Sequence, residues 1–217
     1  FLGNKIDVFI KNAAAVTAGN SFLASYALNY NKNVTILPTV VDTNYYVDYS
    51  EKYSNNDTFT IGWIGSVSTC QYLTELILPL EKLGIILNVR LVIVGGSAPD
   101  ISNIEIVEIP WSIDTEVSII KDFDVGVMPL FDDEWSRGKC AFKLIQYMAC
   151  GVPVVASRVG ENIQLVSEEC GFLVSNDTEW LNALLSLCKD SDKRTLMGKA
   201  SRERIVEKYS LQAHAST

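Results

Sequence analysis

The sequence has 217 residues and a formal net charge of −8 at neutral pH, and 48% of its residues are hydrophobic. This length suits one domain with an appendage, and this hydrophobic fraction is ordinary for a soluble protein with a sizeable core. A protein that binds DNA or RNA through phosphate contacts needs a basic face. The acidic balance therefore argues against nucleic acid as a partner.

Neither a targeting signal nor a membrane span is evident in the sequence. The first residues, Phe1 to Lys5, lack the basic region and apolar core of a signal peptide. The most apolar stretch, Leu73 to Gly96, is interrupted by charged residues. The chain does not begin with Met, and we expect it to be a fragment of a longer protein.

The five cysteines are odd in number, widely spaced and flanked by apolar residues. This pattern predicts reduced, buried thiols in a cytosolic protein. The single histidine, His214, lies near the end of the sequence, so a zinc site of the usual kind is not expected.

The N-terminal region predicts short elements that precede a linker. In chain order these are a helix ending near Asn12, a strand from Ala14 to Ala18, a helix that follows the turn Gly19-Asn20 and runs to Ala27, and a strand from Val34 to Leu37. Residues 48–57 are rich in Tyr, Ser and Asn without periodicity, which is typical of a surface loop. We place a domain seam between Pro38 and Asp57.

Beyond the linker, short apolar strands alternate with helices. The predicted strands are Phe59 to Ile64, Val89 to Val94, Ile104 to Val107, Val125 to Met128, Val152 to Ala156 and Phe172 to Val174. The predicted helices are Gln71 to Leu83, Thr115 to Lys121, Ala141 to Cys150 and two more after the last strand. This alternation predicts an α/β fold with a Rossmann-like parallel sheet and helices on both faces.

Ligands of open α/β sheets bind beyond the carboxyl ends of the strands, near the topological switch point. The segments to inspect are therefore Gly65 to Ser68, Gly95 to Ser97, Pro110 and Trp111, Pro129 to Lys143, and Ser157 to Asn162. Trp111 suits stacking on a nucleotide base and equally suits packing on the sheet. Gly160 to Asn162 suits contact with a sugar or phosphate and equally suits a simple helix cap.

The segment from Pro129 to Lys143 combines an acidic loop with a basic helix start. A helix begins near Ala141, where free N–H groups and the positive end of the helix dipole favour an anion. Arg137, Lys139 and Lys143 lie beside this helix start. Together they predict a cradle for a diphosphate. The alternative is that these cations only balance the acidic run from Asp132 to Glu134.

The segment from Asp124 to Ser157 closely resembles the donor-binding motif of retaining GT-B glycosyltransferases, also called glycosyltransferases group 1. Its last part, Met148 to Ser157 (Met-Ala-Cys-Gly-Val-Pro-Val-Val-Ala-Ser), matches the end of that motif residue for residue. Asn33 to Tyr46 resembles the interdomain stretch of this family, and Gly95-Gly96 resembles the end of its second strand. Gly171 to Val174 and Glu207 to Ser210 also fit, so the resemblance covers nearly the whole chain.

The resemblance implies the C-terminal half of a GT-B fold, in which two Rossmann-like domains face each other across a cleft. Residues 1–37 would be a remnant of the N-terminal acceptor domain and interdomain segment. Residues 38–217 would form the domain that binds the nucleotide sugar. An isolated fragment of this kind is expected to be inactive, because most acceptor contacts belong to the other domain.

This sequence departs from the family pattern at two glutamates. The first, near the hydroxyls of the donor sugar, falls on Gly138, which cannot replace a carboxylate. The second, at the ribose, falls on Gln146, whose amide can still bond ribose hydroxyls. The Arg and Lys that commonly follow the first strand are also absent from Gly65 to Thr69. We expect Lys139 and Lys143 to supply that positive charge and to stabilise the leaving diphosphate.

The candidate substrate-binding residues are Gly65, Ser66, Trp111, Arg137, Gly138, Lys139, Cys140, Ala141, Phe142, Lys143 and Gln146. The resemblance implies transfer of a hexosyl or N-acetylhexosaminyl group from a UDP- or GDP-linked sugar to a saccharide or lipid-linked acceptor. It implies neither a metal nor another cofactor. It also implies a cytoplasmic enzyme of surface polysaccharide synthesis (O-antigen or capsule), with peripheral association at the inner face of the membrane.

Two alternatives remain open at this point. The first is an NAD-dependent epimerase or dehydrogenase, which shares the sheet type. It is disfavoured because Gly62-x-x-Gly65-Ser66 lacks the third glycine of a dinucleotide fingerprint. The second is a non-catalytic module that binds a nucleotide sugar or a protein, which the two missing glutamates allow.

Overall fold

The computed structural model describes residues 4–46 and 58–215. The strands are β1 (Val16–Ala18), β2 (Val34–Ile36), β3 (Phe59–Ile64), β4 (Val89–Val94), β5 (Glu105–Ile109), β6 (Val125–Met128), β7 (Val154–Ser157) and β8 (Gly171–Val174). The α-helices are α1 (Lys5–Asn12), α2 (Ser21–Leu28), α3 (Ile77–Ile86), α4 (Glu116–Ile120), α5 (Glu134–Arg137), α6 (Phe142–Ala149), α7 (Asn162–Leu165), α8 (Asp177–Lys189), α9 (Ser191–Lys208) and α10 (Leu211–His214). A 3₁₀ helix spans Val67–Leu76.

The central sheet has six parallel strands in the order β5-β4-β3-β6-β7-β8. The chain runs outward from β3 to β5 and then returns to the other side of β3, so the topological switch point lies between β3 and β6. β1 and β2 form a separate parallel pair. The predicted α/β architecture is confirmed.

Each face of the central sheet is covered by its own hydrophobic core. Alternate side chains of a strand point to opposite faces. Ile61 and Trp63 of β3 belong to the core that contains Leu80 of α3 and Leu184 of α8. Ile64 belongs to the core on the other face, which includes most side chains of α6. The helices therefore pack on both faces of the sheet and hold its strands, including their carboxyl ends, in place.

The N-terminal segment contacts the loop that precedes α6. The buried side chain of Asn20 donates hydrogen bonds to the carbonyls of Arg137 (3.4 Å) and Lys139 (3.1 Å). A Cβ on Gly19 would collide with the sulfur of Cys140. Residues after Pro38 pack on the C-terminal end of the chain, where Val41 forms a β-bridge with Ser210. The domain boundary between residues 37 and 38 stays a prediction.

Two predicted elements differ from the structure for identifiable local reasons. The helix expected from Gln71 to Leu83 is the 3₁₀ helix followed by α3. Pro79 lacks an N–H group and is accommodated in the first turn of α3, so the regular α-helix begins just before it. The acidic loop contains α5, whose N-cap Asp133 accepts a hydrogen bond from the backbone N–H of Ser136. The predicted loop over residues 48–57 lies outside the described residues.

Within the described ranges, no helix is long and apolar enough to cross a membrane.

Candidate functional site

The candidate site lies at the carboxyl ends of β3, β4 and β5, next to the topological switch point. Gly65, Gly95 and Trp111 follow these strands. A Cβ on Gly95 would collide with the carbonyl oxygen of Gly65 and would lie 3.1 Å from the Cβ of Trp111. A Cβ on Gly65 would collide with the Trp63 ring and would lie 2.7 Å from the ammonium of Lys143. We call this continuous row, from Lys143 over Gly65 and Gly95 to Trp111, the strand-end surface.

Lys143 is a largely desolvated cation at one end of this surface. Its Nζ lies 4.0 Å from the centroid of the Trp63 ring and 3.4 Å from the hydroxyl oxygen of Thr69. No carboxylate among the described residues is within salt-bridge distance of it. Burial, together with the like charge of Lys139, lowers the pKa of Lys143 from its ordinary value to about 7. Trp63 thus supplies a cation–π contact in place of a counter-ion.

Lys139 lies beside Lys143 and contacts aromatic rings. Its Nζ lies 5.0 Å from the ring centroid of Tyr72 and 5.7 Å from that of Trp135. It too forms no ion pair in the part of the chain that the structure describes. The hydrogen bonds from Ser136, and to a smaller extent the charge of Lys139, lower the pKa of Asp133, so Lys139 lies within electrostatic reach of that carboxylate. Two neighbouring ammonium groups that form no ion pair among the described residues are nonetheless unusual in a chain of net charge −8. They create a local positive potential that favours an anionic ligand.

The start of α6 adds backbone donors, which no side chain of the described residues caps, to these two cations. Its N-cap residue, Ala141, provides no side-chain hydrogen bond and adopts the left-handed conformation with φ of 54°. A non-glycine residue in this region carries roughly 1–3 kcal/mol of strain. The first-turn N–H groups of an α-helix have no partner within the helix, and they carry its positive dipole end. The strained turn therefore leaves these donors beside Lys143.

The other end of the strand-end surface is organised by Glu116, the first residue of α4. This carboxylate is only 6% exposed and accepts hydrogen bonds from Trp111 Nε1 (2.5 Å), the Tyr46 hydroxyl (2.7 Å) and Gln146 Nε2 (2.8 Å). Three donors on different elements thus converge on one buried carboxylate, which fixes their orientation. Burial in this cluster is the main factor that raises the pKa of Tyr46.

Two of the predicted nucleotide contacts, Trp111 and Gln146, meet in this cluster. The Trp111 ring is 51% exposed although its N–H group is held by Glu116. The Gln146 Nε2 group donates to both Tyr46 and Glu116, so its carbonyl oxygen is the group left for another partner. At 3% exposure, Gln146 lies deeper than its predicted role at the ribose suggests.

The remaining predicted residues face different surroundings. Arg137 donates a 2.7 Å hydrogen bond to Asp132, so the charge-balance alternative holds for this cation. Gly138 and Cys140 face the N-terminal segment, near Leu23 and Gly19 respectively. Ser66 caps the 3₁₀ helix that begins at the end of β3, and Phe142 is half exposed at the start of α6.

Sequence reasoning missed Glu116, Tyr46 and Trp63. No local pattern marks Glu116, because two of its three partners, Gln146 and Tyr46, are 30 and 70 residues away in the chain. Trp63 lies inside an apolar strand and reads as a core residue. The described residues contain no group of three or more His, Cys, Asp or Glu side chains placed to hold a metal ion.

The family of this chain follows from a sequence comparison. The sequence model described as "Glycosyl transferases group 1" matches residues 58–190, which is more than half of the chain. The chain belongs to the group 1 glycosyltransferases. The matched region includes the strand-end surface and the start of α6. No curated protein sequence matches the chain significantly.

Solved structures share this fold at low sequence identity. Sucrose-phosphate synthase from Thermosynechococcus elongatus superposes with a TM-score of 0.77 at 20% identity, over 97% of this chain and 58% of that one. HepE from Anabaena, in complex with UDP and glucose, gives 0.77 at 15% identity, over 99% and 65%. WaaG, a glycosyltransferase involved in lipopolysaccharide biosynthesis, gives 0.70 at 16% identity, over 92% and 61%. The chain thus spans about 60% of the length of these proteins.

Proposed function

We propose that the strand-end surface holds a nucleoside diphosphate sugar, with the diphosphate at Lys139 and Lys143 and the nucleoside towards Trp111. The observation that carries this proposal is the pair of neighbouring ammonium groups beside the start of α6, neither of which forms an ion pair within the described residues. A structural role for these lysines would place them against Asp132, Asp133 or Glu134. Among the described residues Arg137 forms the ion pair with Asp132, and Lys139 acts on Asp133 only through a charge interaction at longer range.

A diphosphate complements this end of the surface in charge and in hydrogen bonding. Each phosphate group offers several acceptor oxygens to the ammonium groups and to the free N–H groups of α6. When the bond from the anomeric carbon to the diphosphate breaks, negative charge develops on the departing oxygen. Preorganised cations there stabilise this charge in the transition state. The two lysines thus perform the task of a divalent ion, and we propose that no metal cofactor is required.

The nucleoside end is supported by the Glu116 cluster. Glu116 holds the indole N–H of Trp111, which leaves a half-exposed ring for stacking on a base. The same carboxylate holds the amide of Gln146 with its carbonyl oxygen free to accept from a ribose hydroxyl. A ribose with a UDP- or GDP-type base fits this arrangement.

The reaction we infer is transfer of a hexosyl or N-acetylhexosaminyl group, with retention at the anomeric carbon, to a saccharide or lipid-linked acceptor. HepE was solved with UDP and glucose, and WaaG is involved in lipopolysaccharide biosynthesis. We therefore place this chain in surface polysaccharide synthesis such as O-antigen or capsule, on the cytoplasmic side of the membrane. The acceptor would be held mainly by a further domain, so this chain alone would bind donor without transferring sugar.

Titration of lysine variants with a panel of UDP-, GDP-, ADP- and CDP-sugars tests the proposal. Lys139→Ala and Lys143→Ala each remove a charge-assisted bond to the diphosphate. We expect each to weaken binding of the best donor by roughly 1.5–3 kcal/mol, which is more than tenfold in affinity. Lys82→Ala is the matched control, because Lys82 is an exposed lysine on α3. It should leave the affinity unchanged.

Two outcomes would contradict the proposal. If both lysine variants bind the donor as tightly as the parent chain, the diphosphate is held elsewhere. If no nucleotide sugar raises the melting temperature of the parent chain, the strand-end surface is not a donor site, because a ligand that binds only the native state must stabilise it. Donor binding without transfer in a longer protein that includes the acceptor domain would favour the non-catalytic alternative.

A further inference from the structure

The strands β3 and β6 separate at the topological switch point, just below the strand-end surface. They are paired at two positions, the last of which joins Gly62 to Gly126, whereas β3 stays paired with β4 as far as Ile64. The Gly65 N–H donates to the Val94 carbonyl of β4 at 2.9 Å, so the N–H of the preceding residue, Ile64, points to the β6 side. The sheet ladder therefore leaves this N–H group without a strand partner.

The hydroxyl of Tyr147 takes the place of that strand partner. It accepts a hydrogen bond of 2.8 Å from the Ile64 N–H. Tyr147 belongs to α6 and is fully buried. Burial is the main factor that raises the pKa of its hydroxyl, so the group stays neutral. Because a buried N–H group without a partner costs free energy, this bond ties α6 to β3 at the point where the ladder between β3 and β6 has ended.

Two glycines of the paired strands make room for this arrangement. A Cβ on Gly126 would collide with the Tyr147 ring, and a Cβ on Gly62 would collide with the Phe123 ring. These two rings meet edge to face, with their centroids 6.1 Å apart. Gly62, whose spacing to Gly65 does not complete a dinucleotide fingerprint, thus leaves space for an aromatic pair at the switch point. This packing holds the Tyr147 ring in one orientation.

Tyr147 lies one helical turn after Lys143. Residues four apart share a face of an α-helix, and both side chains reach the end of β3 from α6. The Lys143 Nζ lies 4.0 Å from the ring centroid of Trp63, the residue before Ile64. A Cβ on Gly65, the residue after Ile64, would lie 2.7 Å from the same Nζ. The bond from Tyr147 therefore anchors α6 between the two residues of β3 and its end that contact the ammonium.

We propose that Tyr147 is a positioning residue of the donor site, whose hydroxyl holds the end of β3 and the Lys143 ammonium together. It touches no substrate and acts through Ile64 and α6. This proposal rests on the proposed function, which assigns Lys143 to the diphosphate. Without the hydroxyl, the end of β3 and α6 are free to separate, and water gains access to the ammonium.

Tyr147→Phe tests the proposal, because it removes the hydroxyl and keeps the packing of the ring. We expect the Ile64 amide to exchange faster with solvent in nuclear magnetic resonance (NMR) measurements. The pKa of Lys143, followed by NMR of its Cε, should rise towards its ordinary value as the ammonium gains solvent. The other titratable groups that act on Lys143, which are Lys139 and Cys70, are unchanged in this variant.

The same variant should bind donor less tightly and with a weaker dependence on pH. Affinity for UDP-glucose at pH 6 should fall about fivefold, the scale set by one lost hydrogen bond. Its further decrease from pH 6 to pH 8 should be smaller than in the parent, because more of Lys143 stays protonated at pH 8. A purely structural role of Tyr147 would lower the melting temperature without changing this pH profile.

Ser201→Ala is the matched control. It also removes one buried hydrogen bond of a hydroxyl, which Ser201 on α9 donates to the carbonyl of Cys170 before β8 at 3.0 Å. This variant should lower the melting temperature and leave both the pKa of Lys143 and the affinity for UDP-glucose as in the parent.

The proposal is overturned if Tyr147→Phe keeps the parent's pKa of Lys143 and its affinity, or if Ser201→Ala changes both to the same extent. If Tyr147→Phe does not fold, the parent chain provides the test. Saturating UDP-glucose should then shift the amide resonance of Ile64, and an unshifted resonance would overturn the proposal. A parent chain that binds no nucleotide sugar would refute the donor site, whereas a pKa of Lys143 that depends on Tyr147 would still establish the positioning role.

Discussion

The protonation of Lys143 gives a quantitative test of the donor site. Its pKa is about 7, because burial against Trp63 and the charge of Lys139 disfavour the ammonium form. If only the protonated side chain holds the diphosphate, the apparent dissociation constant is the intrinsic one divided by the protonated fraction. That fraction falls from about 0.9 at pH 6 to about 0.1 at pH 8, so donor affinity should fall about tenfold over this range.

Isothermal titration calorimetry with the best-binding nucleotide sugar measures this dependence directly. The diphosphate of a nucleotide sugar is esterified at both ends and has no group that titrates between pH 6 and pH 8, so the change comes from the protein. Lys143→Met keeps the apolar contact with Trp63 and should bind weakly at both pH values. Lys139→Met should bind less tightly than the parent but keep a pH dependence. A parent affinity that is flat from pH 6 to pH 8 would refute the reasoning.

The same lysine should link folding stability to pH. The pKa of Lys143 is lowered in the folded state, so between about pH 7 and pH 10 the unfolded chain binds more protons at this site than the folded chain. Stability from this group therefore rises with pH across that window and is lowest below pH 7. Lys143→Met should raise the melting temperature at pH 6. In urea denaturation at several pH values, it should also reduce the increase of the unfolding free energy with pH. A lower melting temperature in Lys143→Met would contradict the account.

Further predictions concern the nucleoside end, the strand ends and the reaction. Gln146→Ala should weaken UDP binding by about 1 kcal/mol. In calorimetric titrations, Gln146→Ala and Glu116→Gln should each reduce the preference for UDP over 2′-deoxy-UDP. An unchanged preference would exclude a ribose contact. Gly65→Ala should lower stability in urea by about 1–3 kcal/mol and also weaken donor binding, because the added Cβ would lie 2.7 Å from Lys143 Nζ. Gly138→Ala is the control, since its added Cβ would meet nothing closer than 3.5 Å. The chain alone should release no sugar onto saccharide acceptors in a radiolabel transfer assay, and detectable transfer would refute the assignment of the acceptor site to another domain.

The parts of the fold that sequence predicts well are those determined by local pattern. The bounds of β3, β4 and β6 coincide with their predicted runs, because strands buried on both faces read as continuous apolar segments. The start of α2 was also predictable, since Asn20 is a strong N-cap residue and its side chain accepts from the Leu23 N–H. The site segment from Pro129 to Lys143 was identified by its charges and its resemblance to a known motif.

The electrostatic state of the site could not be predicted from the sequence. Spacing places Arg137, Lys139 and Lys143 near the same helix start but does not say which of them pairs with Asp132. That choice depends on α5, which brings Arg137 to Asp132. The desolvation of Lys143 depends on Trp63, which lies far from it in the chain and meets it only when β3 and α6 pack. Tertiary contacts therefore decide which cations are available.

The most direct test of the account is a crystal structure of the chain with a bound nucleotide sugar or UDP. The account predicts phosphate oxygens within hydrogen-bonding distance of Lys143 Nζ and of the first N–H groups of α6, with Lys139 on the same diphosphate. It also predicts the base against Trp111 and the ribose at the Gln146 carbonyl. A diphosphate bound away from both lysines, or a nucleotide bound while Gln146 still points into the Glu116 cluster without touching the ribose, would contradict it.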